Sequence, residues 1–368
     1  MSGNYWPTPE QGCLLEAALL PGEPGLAAWR RTEATIDPGR LDQASRGLLP
    51  LVYENIARLD ATSPRVDVLE EQYKITWRRN QQLFNDIRPV LQAFERAGID
   101  AIVLKGMALV ARYYHDPGLR PMADVDVLVS PSAVERASSV LRELGWIPWY
   151  RLTPAFLRVK HALAFDNRLG TICDLHWRTF EEPADRGADD DVRAAAVTVS
   201  FQGERLRILS PSDQLLHVCG HGARWAQVPG IRWVADAMLI LREGQVDWRR
   251  LVEQTVRRRF VLRIREMLDY LRTAFGAPVP AAVIAELANR PVAALERFEY
   301  RIRNREHRLL GELPTYVCNC LRSERRPFRA LPAYLQQAWG LDSLREVPQH
   351  ALTRAMHRVR MAVSGAQR

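Results

Sequence analysis

Residues 124–129 read Asp-Val-Asp-Val-Leu-Val, and few folds can accommodate such a segment. Side chains on a strand alternate faces, so Asp124 and Asp126 share one side, roughly 6.6 Å apart along the chain. The apolar Val125, Val127, Leu128 and Val129 mark the strand as largely buried. Two carboxylates so close repel unless a proton or a cation lies between them. Mg²⁺, a hard ion that prefers oxygen ligands, is the expected counterion. Just upstream, the apolar run Ile102-Val103-Leu104 ends in Lys105-Gly106. A helical segment and a turn rich in Pro and Gly then lead into the acidic strand.

The rest of the chain fits a cytoplasmic globular protein. Its 368 residues allow two or three compact units, and 47% apolar with 26% charged residues is an ordinary soluble composition. No apolar run is long enough to span a membrane, and the first residues do not form a signal peptide. Five cysteines without paired CxxC spacing point to reduced thiols rather than a zinc site. The net charge of +8, from 51 basic and 43 acidic residues, favours anionic partners such as nucleotides, nucleic acid or acidic peptides. The same arginine-rich usage is also what GC-rich coding produces.

Taken in order, residues 1–40 are rich in Pro and Gly and suggest a loosely structured entry with one short helix near Cys13–Leu20. Leu41–Leu59 has helical character. A long helix is expected from Pro64 to Gly98, with Leu83, Ile87, Val90, Leu91 and Phe94 as its buried stripe and Pro89 as a kink or break. Strands follow at Ala101–Leu104 and Val125–Val129. A helix begins at Ser130-Pro131. Arg158–Asp166 and Thr171–Trp177 are expected to form two further strands, and Val197–Phe201 with Leu206–Leu209 a hairpin. Ser210-Pro211-Ser212-Asp213 is a strong helix start, and the chain beyond it is helical and basic. Helices at both ends around a small mixed sheet make an α+β layout.

Asp174 lies on the later strand with His176 on the same face. If the strands are neighbours, Asp124, Asp126 and Asp174 face one pocket. Three such carboxylates can hold two Mg²⁺ ions about 3.5–4 Å apart, an arrangement suited to in-line displacement at phosphorus. Each residue also has a plainer reading. Lys105 contacts phosphate beside the helix start or merely reaches out from a strand end. Arg120 grips a phosphate or tethers its own loop to an acid. His176 is a base, a substrate contact or a satisfied core histidine. His217 and His221, one helical turn apart, lack the glutamate and further ligand of a zinc site. They suit helix packing or a contact to nucleotide. Trp233 and Asp236 suggest packing and a buried polar anchor. The run Phe298–Arg308 suits a solvated face, or a contact to an acidic macromolecule.

The segments LKGMALVARYYHDPGLRPMADVDVLV, DLHWR, LSPSDQLLHVCGHG and IRWVADAMLIL together resemble the uncharacterised nucleotidyltransferase family related to the polymerase-beta-like superfamily. The resemblance covers roughly Tyr73–Pro280. It puts Lys105 and Gly106 at the glycine motif, Asp124 and Asp126 at the D-x-D, and Asp174 at the third acid. Two departures stand out. Met107, rather than Gly or Ser, follows Gly106, and YYHDPGLRPMA lengthens the interval to Asp124. The implied organisation is an N-terminal helical region over 1–97, a nucleotidyltransferase core over 98–209, and a C-terminal helical region over 210–368.

The resemblance implies a Mg²⁺- or Mn²⁺-dependent enzyme that moves a nucleoside monophosphate from an NTP, ATP among the candidates, to an acceptor. Relatives occur in bacteria, some beside peptide natural-product genes. A peptide is therefore one implied acceptor, and RNA or a small molecule are others. The competing class is a non-catalytic module that binds nucleotide, peptide or nucleic acid on the same fold. An intact set of three carboxylates argues against it, because degenerate sites lose ligands.

Overall fold

The computed structural model describes residues 5–60, 62–182, 184, 187–222, 230–303, 313–322, 331–339, 341–354 and 356. Seven strands form one mixed sheet: β1 (Ile102–Leu104), β2 (Asp124–Leu128), β3 (Ile147–Pro148), β4 (Ala162–Asp166), β5 (Ile172–His176), β6 (Val197–Phe201) and β7 (Glu204–Ile208). Their order across the sheet is β3-β4-β5-β2-β1-β7-β6. β2 runs parallel to β5 and antiparallel to β1, and β4 runs antiparallel to β5. The architecture is α+β, as the order of elements in the sequence predicts.

Strict alternation divides the sheet into two faces. Val103, Val125, Val127, Leu163, Phe165, Cys173 and Leu175 are buried on one side. They pack in one cluster with Leu83, Ile87, Val90 and Phe94 of the helix Val66–Arg96, and with Ala137 and Leu141 of the helix Val134–Glu143. The long helix runs through Pro89 without a break. Pro89 is exposed, so the carbonyl it leaves without an N–H partner faces water. On the opposite face only Ile102, Leu104 and Leu128 join a small apolar cluster, with Val192 and Leu209. The rest of that face carries Asp124, Asp126, Asp174 and His176, with Ala162, Ala164 and Ile172 between them.

The N-terminal residues are better ordered than their Pro and Gly content suggests. Thr8 and Gln11 form a reciprocal capping box on the helix Pro9–Leu19, with Pro9 in its first turn. A second helix, Glu23–Thr32, also begins with a proline in its first turn. Leu15, Leu19 and Trp29 are fully buried and share a core with Leu216, Trp233, Met238 and Leu268 from the helices after residue 210. The two ends of the chain therefore make one helical layer.

Two local expectations change. Residues 154–159 form a helix capped by the Thr153 hydroxyl, so β4 begins only at Ala162 rather than at Arg158. Trp146 is followed by a two-residue edge strand, β3, which the sequence pattern does not signal. Ser210 caps the helix Pro211–Gly222 as expected: Asp213 N donates to its hydroxyl, and the hydroxyl donates to the Asp213 carboxylate. Val228 and Pro229 of the break expected near Val228-Pro229-Gly230, and the end of the Arg-rich run, residues 304–308, lie outside the described residues. Among the described residues no helix is long and apolar enough to cross a membrane.

Candidate active site

The polar face is built by strand register. Asp126 lies opposite Leu104 on β1 and opposite Asp174 on β5, and Asp174 lies opposite Ala164 on β4. Asp124 sits one step along β2, opposite Ile172. Asp124, Asp126 and Asp174 therefore share one face, as the spacing predicts. Asp126 is only 2% exposed, whereas Asp124 and Asp174 are half-buried.

The electrostatics of the three differ. Burial alone would raise the Asp126 carboxyl, but the Lys105 ammonium and His176 outweigh it and hold Asp126 far below the usual carboxylate range. Lys105 Nζ pairs with Asp126 Oδ1, and His176 Nε2 lies 2.9 Å from the same oxygen. Asp124 and Asp174 shift the other way. Burial, and then the neighbouring Asp126 charge, raise both. One permanent anion flanked by two reluctant ones leaves the face short of positive charge.

That shortage is what a cation site requires. Asp126, Asp174 and His176 each offer a ligand atom, all within 4.8 Å of one another. Two carboxylates supply hard oxygen donors for a divalent ion. The grouping differs from the expected Asp124, Asp126 and Asp174. Asp124 is a step further along its strand, within electrostatic reach but outside the cluster. His176 enters because β5 runs parallel to β2 and its ring reaches across to Asp126. His176 is 2% exposed and its Nε2 is held on that carboxylate, so ring and carboxylate fix each other's orientation.

Lys105 turns the chain from β1 into the short helix Lys105–Leu109 at φ 44°, a left-handed conformation uncommon outside glycine. The geometry aims its ammonium at Asp126. Gly106 is needed for closeness: a Cβ there would fall 2.6 Å from Met122 Sδ and 2.9 Å from Arg120 Nη1. Arg120 is tied to the helical region. Its Nε and Nη2 both bond the Asp236 carboxylate at 2.8 Å, and Tyr114 Oη donates to the same acid at 2.8 Å. This is the geometry of the tether reading, with Asp236, 4% exposed, as the buried anchor.

His217 and His221 lie on the helix Pro211–Gly222. His217 stacks edge-on with Phe180 at 5.3 Å and with His221 at 6.0 Å. No described contact brings either ring to the carboxylates. Sequence reasoning passed over Arg232, which opens the helix Arg232–Glu243 and donates from Nη1 to the Pro121 carbonyl at 2.6 Å. Burial and then Arg120 lower its pKa, against the pull of Asp236 and Asp124. Its only signal in the sequence is its place one residue before Trp233, at the start of an amphipathic segment.

The mixed sheet thus presents carboxylates from adjacent strands beside a lysine–glycine turn. A family model described as uncharacterised nucleotidyltransferase matches residues 41–276. The chain belongs to that family, and it is a nucleotidyltransferase. Three solved structures align with it. The lincosamide antibiotic adenylyltransferase LnuA, lincomycin-bound, is 11% identical with a TM-score of 0.32, covering 42% of this chain and 94% of that one. The antibiotic-resistance factor ANT(2'')-Ia is 14% identical with a TM-score of 0.33, covering 57% and 98%. An antigenic nucleotidyltransferase-like protein from Paracoccidioides brasiliensis is 14% identical with a TM-score of 0.35, covering 59% and 97%. No curated protein sequence matches the chain.

Proposed function

We propose that the chain moves a nucleoside monophosphate from an NTP to a hydroxyl or amine of an acceptor and releases pyrophosphate. The observation that carries this reading is the register of Asp126 directly opposite Asp174, with Asp124 next on the same face. Asp126 and Asp174, with Asp124 beside them, would hold two divalent ions, Mg²⁺ or Mn²⁺. When bound, such ions supply Lewis-acid stabilisation of phosphoryl oxygens and lower the pKa of a coordinated hydroxyl.

The chain's own residues do the rest. His176 fixes the orientation of Asp126. Lys105 neutralises Asp126 and is the nearest cation to offer the β- and γ-phosphates once that charge is met. Asp174, half-buried beside Asp126, would take the acceptor's proton as the acceptor oxygen or nitrogen bonds to the α-phosphorus. The bond to the bridging oxygen breaks, and pyrophosphate leaves towards Lys105. Arg120 and Arg232 keep the wall behind Gly106 closed.

The test is label transfer. The protein is incubated with each α-labelled NTP, Mg²⁺ and a small-molecule cell extract, and both pyrophosphate and labelled product are followed. Wild type should release pyrophosphate with at least one NTP, and Asp126→Asn and Asp174→Asn should not. Equal release by wild type and both variants would overturn the assignment.

A further inference from the structure

We propose that the carboxylate face continues across β4 to Trp149 as an acceptor platform for the ring of a small, neutral or cationic molecule. The proposal rests on the transfer reading and adds the subsite and substrate class. The row Leu104, Asp126, Asp174, Ala164 runs straight across four strands. Trp149 extends it, because its backbone N–H bonds the Ala164 carbonyl at 2.9 Å, next in register after Ile147↔Asp166 and Pro148↔Phe165. Residues opposed in an antiparallel pair share a face, so Trp149 stands on the carboxylate side.

Two strand spacings, about 10 Å, separate the Asp174 and Trp149 backbones. Between them the floor is the small side chains of Ala162 and Ala164, both half-buried. They offer a flat apolar surface with no hydrogen-bonding group. At the far end Trp149 is 55% exposed, beside Ile147 at 38%. An open concavity of about 540 Å³ lies there, lined by Ile147, Pro148, Trp149, Tyr150, Asp166 and Arg168. Its size suits a drug-sized ligand.

Charge selects the occupant. Asp124, Asp126, Asp166 and Asp174 share this face, against Lys105 at the β1 end and Arg168 at the β4–β5 turn. The basic groups Arg205 and Arg207 of this face lie on β7, away from Trp149, so among the described residues lining the Trp149 end only Arg168 offers a polyanion a positive charge. A neutral or cationic ring stacks well on an indole. The layout also suits in-line displacement. The acceptor would approach from the β4 side and pyrophosphate would leave on the β1 side.

Phenyl β-D-glucoside and methyl β-D-glucoside serve as probes, because they share their hydroxyls and differ only in the ring. Each is titrated by NMR into protein holding Mg²⁺ and a non-hydrolysable ATP analogue. Wild type should bind the phenyl glucoside about tenfold more tightly, as expected for ring stacking on an aromatic. Trp149→Ala should erase that preference and Trp149→Phe should retain most of it, with affinity for the ATP analogue unchanged in both. Absence of a phenyl preference in wild type, or its survival in Trp149→Ala, overturns the platform. Because no turnover is read, a protein that shows the preference but never releases pyrophosphate keeps the platform and loses the transfer reading.

Discussion

At the scale of single residues, the carboxylates make opposite demands on stability. Asp126 is stabilised as an anion by Lys105 and His176, whereas Asp174 is raised by burial and by Asp126. A carboxyl whose folded pKa is raised stabilises the fold at low pH, and that contribution is lost as pH rises from its unfolded value through its folded one. Asp174→Asn should therefore raise the melting temperature of the metal-free protein at pH 7. It should also blunt the further rise that Mg²⁺ or Mn²⁺ produces in wild type by binding the native state. Differential scanning fluorimetry with and without the ion reads both effects, and a lowered metal-free melting point would contradict the electrostatic picture. Arg120 carries a stability prediction in place of a binding one. Removing it leaves Asp236, only 4% exposed, without its bidentate partner. Breaking a buried pair from one side costs about 3–5 kcal/mol. Urea denaturation of Arg120→Ala should show a loss of that order. A midpoint near wild type would mean that the bridge contributes little.

At the scale of elements, the insert between the glycine turn and the acidic strand is pinned to the long helix. Asn80 Nδ2 donates to the carbonyls of Pro117 and Arg120 at 2.6 and 2.8 Å. Tyr73 Oη donates to Asp116 at 3.0 Å, and the Tyr73 ring covers Gly118 so closely that a Cβ there would lie 2.1 Å from it. Asn80→Ala should cost about 1–3 kcal/mol by leaving buried carbonyls unsatisfied, and it should loosen the loop that leads into Asp124. Faster hydrogen exchange over residues 116–122 is the expected sign. Pro89→Ala should act in the opposite direction, since an exposed proline in a helix interior costs up to about 3 kcal/mol. Chemical denaturation of that variant measures the gain. These elements show which signals the sequence carries. The D-x-D strand could be read because alternation is local and fixes a face without knowledge of the partner strand. The short β3 could not, because two residues, one of them proline, hold no period. The helix expected near Cys13–Leu20 forms but begins at Pro9, and the helix at Glu23 has no counterpart among the expected elements, although both carry a proline in the first turn, where proline starts a helix. The Arg120–Asp236 pair spans 116 residues of chain, and no pattern in either segment announces the other.

At the scale of the whole molecule, segments far apart in the chain share one core. Residues from both ends meet in one helical core, where Leu15, Trp29 and Leu49 lie with Trp233, Ile264 and Leu268. Removing residues 1–40 should therefore unfold the wall beside the active site, although that segment holds none of the site residues. Loss of the cooperative thermal transition in the truncated chain checks this. Among the connections that join the helical layer to the sheet's insert are Arg120 to Asp236, Tyr114 to Asp236, Arg232 to the Pro121 carbonyl, and His115 to Glu243. A latch of this kind has a mechanical consequence. A hinged opening behind the glycine turn would have to break the Arg120–Asp236 pair, whose acid is 4% exposed, so the two walls there should move as one body during a catalytic cycle.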